Sequence, residues 1–422
     1  MNSFGSAPTG AKGPAGRPVR AVRFARAARL ALCLLAMCLL PALAFLGSCS
    51  SDSSGPSFTD PPVPPTQDWL FDVVGTAAND VYACGAKGAM FHFDGTAWTA
   101  VPMGMSDPIV RMWKEDAGTT LYAVGHKGRI WRNTGGSWAG MSSGTSQNLY
   151  GIGALEGVVH AVGQDGTICR LSGSTWSQVS GSMFLLNENN VPVDTLQVAD
   201  DLESLVTVNN YFLGGAYIDP GYTGPRVGVY GTRGMVLAPN SDPLYSGEWI
   251  LRPISGEQII PHEWVLCTTS DPAVLSRNML GTSEGWLFEL TRDDNGKNVW
   301  QKFYPSLTVD PGSGVTDIWL DETGNAYIVT DEGQVVFQSV DYDYSAGTGR
   351  RAVLYDNLER LTAIWGTGPD NLWFVGYRAG AILHGVHNQS TDEFTMTSTA
   401  VTFPDKGASA SMTTDHLGRP LN

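Results

Sequence analysis

From about residue 69 onward, short β-prone runs separated by turn residues recur along the chain. One pattern dominates. An apolar run ends in a small residue, two variable positions follow, then a glycine, then a second apolar run. It occurs at Val81–Gly85 with Gly88, Leu121–Gly125 with Gly128, Val159–Gly163 with Gly166, and Val227–Gly231 with Gly234. It recurs at Met279–Thr282 with Gly285, Ala326–Thr330 with Gly333, and Leu372–Gly376 with Gly380. Successive second glycines lie 40, 38, 68, 51, 48 and 47 residues apart, and the interval of 68 reads as one repeat plus an insertion. A tryptophan is locked to the pattern. Trp98, Trp138 and Trp176 follow their glycine by ten residues, and Trp249 and Trp300 follow theirs by fifteen. A further β-prone run, such as Leu70–Val74, Ile109–Trp113 or Leu361–Trp365, precedes the pattern in repeats one, two, three, six and seven, with Asn- and Asp-rich turns between.

Each repeat therefore predicts four short strands, a to d. In repeat one these are Leu70–Gly75, Val81–Gly85, Ala89–Phe93 and Trp98–Val101. The glycine pair is expected to supply positive φ to a two-residue turn between b and c. Four strands in about 40 residues is the period of a β-propeller blade. A parallel solenoid has shorter coils, and an immunoglobulin array needs about 100 residues per unit. The expected fold is all-β: a seven-bladed β-propeller of four-stranded antiparallel blades over residues 69–405. Six or eight blades stay open, because repeats four to six are degenerate. Residues 406–422 read as a tail or a closing strand. The tryptophans are expected to pack between neighbouring blades.

Composition agrees. Glycine is 50 of 422 residues, well above the usual ~7%, and only 16% of residues are charged. That favours strands and tight turns over coiled coil or disorder. The net charge of −15 argues against a nucleic-acid partner.

The first 68 residues read as an address. Six basic residues and no acid precede Leu30–Gly47, an uncharged apolar stretch. Its end, Leu46-Gly47-Ser48-Cys49, resembles the bacterial lipobox, in which the cysteine is lipidated and becomes the first residue. That resemblance implies a signal peptide over 1–48, lipidation of Cys49 and an outer-membrane location, since Ser50 follows the cysteine. Residues 49–68 then form a flexible Ser/Pro tether. Loss of residues 1–48 leaves a strongly acidic exported chain that repels nucleic acid and anionic lipid.

Little chemistry stands out. Cys84, Cys169 and Cys267 lack a CxxC spacing, and Cys84 occupies a place held by valine in repeats two and three, so it reads as a core thiol. His384 and His387 would point to opposite faces of a strand. Asp293–Gly296 and Asp321–Asn325 read as hairpin turns without the glutamate of a calcium loop. The expectation is no metal, no cofactor and no catalytic residue.

Gly75–Gly85, Gly366–Gly376 and Phe91–Trp98 are similar to exported propeller repeats of the YVTN/BNR-like group, related to WD40-like repeats and also seen in photosystem II assembly factors and sialidase-type propellers. The resemblance covers repeats one to three and seven. It implies a propeller, and in Asp94-Gly95-Thr96-Ala97-Trp98 a loose form of the Asp box, which pins a hairpin.

The b–c turns and d–a connections of a propeller share one rim. There the turns carry Lys87, His126, Lys127, Arg233 and Arg378, a basic arc on an acidic chain. The insertion between Gly181 and Arg226, with Tyr211, Phe212, Tyr217 and Tyr222, is assigned to the same rim. The functional expectation is a lipid-anchored, non-catalytic cell-envelope platform that recognises a protein or glycan through this rim. The alternative is a hydrolase or lyase acting on polysaccharide with channel carboxylates. Convergent carboxylates on strand a of several blades would favour it, but these runs are mostly apolar, with only Asp72 and Asp317 at matching places, which favours the first reading.

Overall fold

The computed structural model describes residues 68–115, 118–155, 158–164, 167–179, 313–343, 348–356, 359–377 and 380–404, and between 180 and 312 residues 285–286 and the strands named below. Among these residues six sheets have four antiparallel strands in the order a-b-c-d. Blade one is Leu70–Ala77, Asp80–Gly85, Met90–Phe93 and Trp98–Ala100. Blade two is Ile109–Lys114, Leu121–Gly125, Arg129–Thr134 and Ser137–Ser142. Blade three is Leu149–Leu155, Val158–Gly163, Ile168–Ser172 and Thr175–Gln178. Blade five is Val265–Ser270, Asn278–Thr282, Leu287–Arg292 and Asn298–Phe303. Blade six is Val315–Leu320, Ala326–Thr330, Val335–Gln338 and Arg351–Tyr355. Blade seven is Leu361–Gly368, Asn371–Gly376, Ala381–Asn388 and Glu393–Ala400.

Blade four differs. Ser204–Leu205, Phe212–Ala216, Gly234–Pro239 and Trp249–Pro253 form its strands a to d. A hairpin of Met183–Leu186 and Pro192–Leu196 is added outside strand d, with which it pairs in parallel. Two expectations are corrected here. Strand b is Phe212–Ala216 instead of Val227–Gly231, which together with its Gly231 lies outside the described residues. Phe212 thus belongs to a blade strand and not to a rim loop, and the insertion contributes an outer-edge hairpin. A glycine count could not tell which of two apolar runs pairs with Gly234–Pro239, because pairing is long-range.

Burial runs as a gradient across each blade. Strand b is buried along nearly its whole length in blades one, two, six and seven, because neighbouring blades cover both its faces. That is why these strands read as continuous apolar runs in place of an alternation. Strand d is mostly exposed and polar. The apolar clusters accordingly span pairs of blades. One joins Tyr82 and Met90 of blade one to Met112, Leu121 and Trp131 of blade two. Another joins Tyr122 and Ile130 to Ile152, Ala161 and Trp176. Two repeat tryptophans, Trp138 and Trp176, lie at these seams. Trp138 meets Tyr82 edge-on at 5.6 Å, and the Trp176 indole donates to Met141 Sδ of the preceding blade. Trp249 and Trp300 lie in strand d of blades four and five, as their spacing required.

The two glycines of each pair do different work, which corrects the shared positive-φ reading. Gly88 has φ 66° and, with Lys87 at φ 58°, forms a turn closed by Ala89 N donating to Ala86 O at 2.9 Å. Gly85 is extended. A Cβ there would overlap the Trp69 carbonyl oxygen, as one at Gly125 would overlap that of Pro108. The first glycine lets the b–c turn press against the start of strand a. The next residue then donates its N–H to that same carbonyl: Ala86 to Trp69 at 2.9 Å, His126 to Pro108 at 3.1 Å, Gln164 to Asn148 at 2.8 Å and Tyr377 to Arg360 at 2.9 Å.

The inner strands close a ring, since strand a of blade seven packs on strand a of blade one. Each terminal sheet is built from consecutive strands, so among the described residues no strand is exchanged across the closure. Side chains and single hydrogen bonds hold it instead. Trp69 stacks on Tyr377 at 4.0 Å, and Arg360 lies 5.1 Å from the Tyr377 ring. Trp373 meets Phe93 at 4.9 Å and Trp98 at 5.3 Å, and Phe91 meets Phe403 at 5.5 Å. Thr362 Oγ1 donates to Leu70 O at 2.9 Å, and Gly380 N to Asp68 O at 3.0 Å.

Trp373→Ala empties the closing seam and is expected to cost ~3–5 kcal/mol, read as a lower thermal midpoint with loss of near-ultraviolet circular dichroism. Gly125→Ala should cost about 1–3 kcal/mol, because the opposing atom is backbone and cannot rotate away. The same measurement on Gly135→Asn is the control, since nothing lies within 4 Å of a Cβ at Gly135 and asparagine tolerates its φ of 63°.

Candidate functional site

Two places are candidates: the axis of the ring and the rim of b–c turns. At the axis, strand a carries a β-bulge at its second residue in blades one, two, three, five, six and seven. The bulge puts Asp72, Arg111, Gly151, Cys267, Asp317 and Ala363 at equivalent positions just beyond it. The two carboxylates bind backbone. Asp72 accepts from Val73 N through Oδ1 and from Met112 N of blade two through Oδ2. Asp317 Oδ2 accepts from Ile364 N of blade seven at 2.9 Å. Both therefore pin the next inner strand. Thr316 does likewise from the bulge, donating to Leu361 O at 2.8 Å.

Arg111 Nη1 lies 3.7 Å from Asp72 Oδ1, and its charge is felt by both acids. Burial pushes the Asp72 carboxyl up to about 7, against the opposing pull of Arg111 and with help from Asp317. Asp317 is raised by burial and held down by Arg111. Burial works against the charge on Arg111, yet Asp72 and Asp317 hold its affinity for the proton above the ordinary arginine value. The group is an electrostatic staple between inner strands. Cys84 and Cys267 beside it are buried free thiols pushed well up by burial, which makes them poor nucleophiles.

The rim holds part of the expected arc. Lys87 Nζ pairs with Asp68 Oδ1 at 2.8 Å, and Lys127 Nζ with Asp107 Oδ1 at 2.7 Å. Both acids precede strand a by two residues, so the pairing repeats from blade to blade. His126 is 2% exposed and takes no part in the surface. Cys49, Arg233, Arg378, Tyr211, Tyr217, Tyr222 and Gly166 lie outside the described residues.

Beside Lys127 the rim opens into a groove of about 370 Å³. Met105 and Trp131 give it an apolar floor, while Arg129, Ser142 and Lys127 stand around it. Arg129 Nε lies 3.7 Å from Asp107 Oδ2, so two cations share one carboxylate. The spacing argument missed Arg129, although a signal was present. The residue after the second glycine is Ala89 in blade one and Ala381 in blade seven, both buried, whereas Arg129 is exposed.

The opposite rim carries a polar latch between blades six and seven. Tyr327 Oη lies 2.9 Å from His387 Nδ1, and Gln389 Nε2 donates to Tyr327 Oη at 3.1 Å and to Asp321 Oδ2 at 3.0 Å. Burial lowers the His387 pKa, although Asp392 opposes this, and raises that of Tyr327. His384 faces the other way, 4.5 Å from Trp373. The two histidines thus diverge as their spacing predicts. Among the described residues no group of three or more metal-ligating side chains comes together. Asp94 Oδ1 accepts from Thr96 N and Ala97 N, the hairpin-pinning part expected of the loose Asp box.

Radial four-stranded sheets, apolar seams between blades and inner strands that close a ring define a β-propeller. No family model and no curated protein matches the chain. Among solved structures it is similar to YCF48 from Cyanidioschyzon merolae, at 14% identity over 75% of this chain and 95% of that one, with a TM-score of 0.44. It is also similar to the WD40 repeats of RRP9, at 10% identity over 77% and 89% with a TM-score of 0.47. U3-55K is a third, at 11% identity over 77% and 90% with a TM-score of 0.48.

The Asp72 carboxyl yields a pH prediction. Its folded pKa of about 7 lies above the ordinary 3.8, so between these values the folded chain keeps a proton that the unfolded chain has lost. The resulting stabilisation is fully present below about pH 4 and is lost as pH rises through 7. His160, lowered by burial to about 4, acts in the opposite sense over part of the same window. The readout is therefore the difference in thermal midpoint between wild type and Asp72→Asn. It should fall in disfavour of the wild type from about pH 4.5 to pH 7.5. A difference that stays constant across that range contradicts this assignment.

Proposed function

We propose that this chain is a lipid-anchored, non-catalytic binding platform of the bacterial cell envelope, held at the outer membrane through Cys49 and a tether over residues 49–68. The propeller recognises an envelope protein or glycan through the rim of b–c turns. The observation that carries the non-catalytic part is the commitment of the axial carboxylates. Asp72 and Asp317 each hold a backbone N–H of the next blade and share one arginine. A glycoside hydrolase needs a carboxyl pair free to transfer a proton and to activate water or attack the sugar. Here that pair is engaged in holding inner strands together. The basic run, apolar stretch and Leu46–Cys49 motif support the anchor.

Two measurements test the reading. Radiolabelled palmitate should enter the wild type and not Cys49→Ala, and Cys49→Ala should leave the membrane fraction. The wild-type chain should release no reducing ends from envelope polysaccharide. Release that disappears in the Asp72→Asn/Asp317→Asn double variant, with the fold intact by circular dichroism, would establish the hydrolase instead.

A further inference from the structure

We infer that the blade-two groove is the docking site for an extended acidic segment of a partner protein, with a carboxylate seated on Arg129 and an adjacent bulky apolar side chain against Met105. This rests on the platform reading above and specifies where and what it binds.

Charge complementarity selects the occupant. The chain carries a net −15, yet this groove has two cations against a single carboxylate. Lys127 spends one donor on Asp107 and remains 64% exposed along its side chain. Arg129 is 49% exposed, and its 3.7 Å approach to Asp107 is too long for a hydrogen bond. A half-exposed guanidinium with a free fork of donors is the geometry that takes a carboxylate in bidentate fashion. Beside it, Met105 is only partly buried, and a thioether side chain adapts to apolar groups of varied shape.

The backbone adds a second element. The groove is bordered by Gly140, Met141 and Ser142 of strand d, the outermost strand of blade two. An outermost strand presents main-chain donors and acceptors along its open edge, which an extended peptide can pair with. Blade four shows that strand d in this chain takes an additional strand, because Met183–Leu186 pairs in parallel with Trp249–Pro253. A glycan suits the groove less well. Sugar rings pack on exposed aromatic faces, and the groove's single aromatic, Trp131, is 4% exposed.

The test is a selection of displayed random peptides against the exported chain with Cys49→Ser, followed by affinity measurement on the enriched sequences. The expected peptides carry Asp or Glu within two residues of Leu, Ile, Met or Phe. Their binding should weaken at least tenfold in Arg129→Glu and with rising salt, and should change less than twofold in Lys87→Glu on the neighbouring blade. Each variant must keep the wild-type thermal midpoint within a few degrees, and Arg129→Gln serves where Arg129→Glu does not. Enrichment without acidic residues, acidic peptides indifferent to both Arg129 variants, or binding of anionic oligosaccharide with no peptide enriched would each overturn the inference. An envelope partner that binds wild type and Arg129→Glu equally would leave the platform reading standing and remove the groove from it.

Discussion

No blade of this protein can bury its own faces. Strand b is apolar on both sides, and it is covered only when a neighbour stands on each. Every blade therefore depends on the ring being complete, and the ring depends on its seam between blades seven and one. Many propellers lock such a seam by letting a strand from one terminus complete the sheet of the other. Here both terminal sheets are consecutive, and aromatic packing supplies the closure: Trp69 on Tyr377, Trp373 between Phe93 and Trp98, and Phe403 on Phe91. The area that these rings remove from water is the main force at that seam.

The same requirement explains the polar groups near the axis. Inner strands of neighbouring blades approach closely but are not paired as a sheet, so some backbone groups there need side-chain partners. The bulge at the second residue of strand a turns the following side chain towards the adjacent strand. Asp72 and Asp317 accept from backbone N–H groups, and Thr316 and Thr362 donate to carbonyls. Charged carboxylates in this setting carry a desolvation cost, which Arg111 offsets in part. A constellation of two acids and a base at the centre of a propeller thus has a structural cause, and its presence is no argument for catalysis. The rim is under no such constraint. Its turns need only a left-handed residue and a close approach to strand a, which leaves Lys127 and Arg129 available for recognition.

Much of this was legible along the chain. The period, the four strands per repeat, the tryptophan landmark and the turn glycines all follow from local requirements, and they recur because each blade meets the same neighbours. The divergence of His384 and His387 follows from the two-residue period of a strand. Blade four escaped because Val227–Gly231 has the glycine spacing and Phe212–Ala216 lacks it, yet pairing across the sheet selects the latter. His126 looked like a surface cation because its neighbour Lys127 is one. It is nonetheless 2% exposed, because packing of remote segments, which no local rule anticipates, covers its ring.

The sequence by itself determined that the chain builds small four-stranded units at a period near 40 residues, because strand alternation, turn chemistry and glycine backbone freedom act over a few neighbouring residues. It also assigned the two ends of the b–c turn, though not the different reasons for its two glycines. Only the tertiary structure decided that Asp72, Arg111 and Asp317 share one electrostatic site, although 245 residues separate the outer two. It also decided that Arg129 and Met105 wall one groove, and that, among the described residues, the ring closes through aromatic contacts without strand exchange. These outcomes depend on distances between segments remote in the chain. Such distances are set by how the blades pack, and no local pattern of residues encodes them.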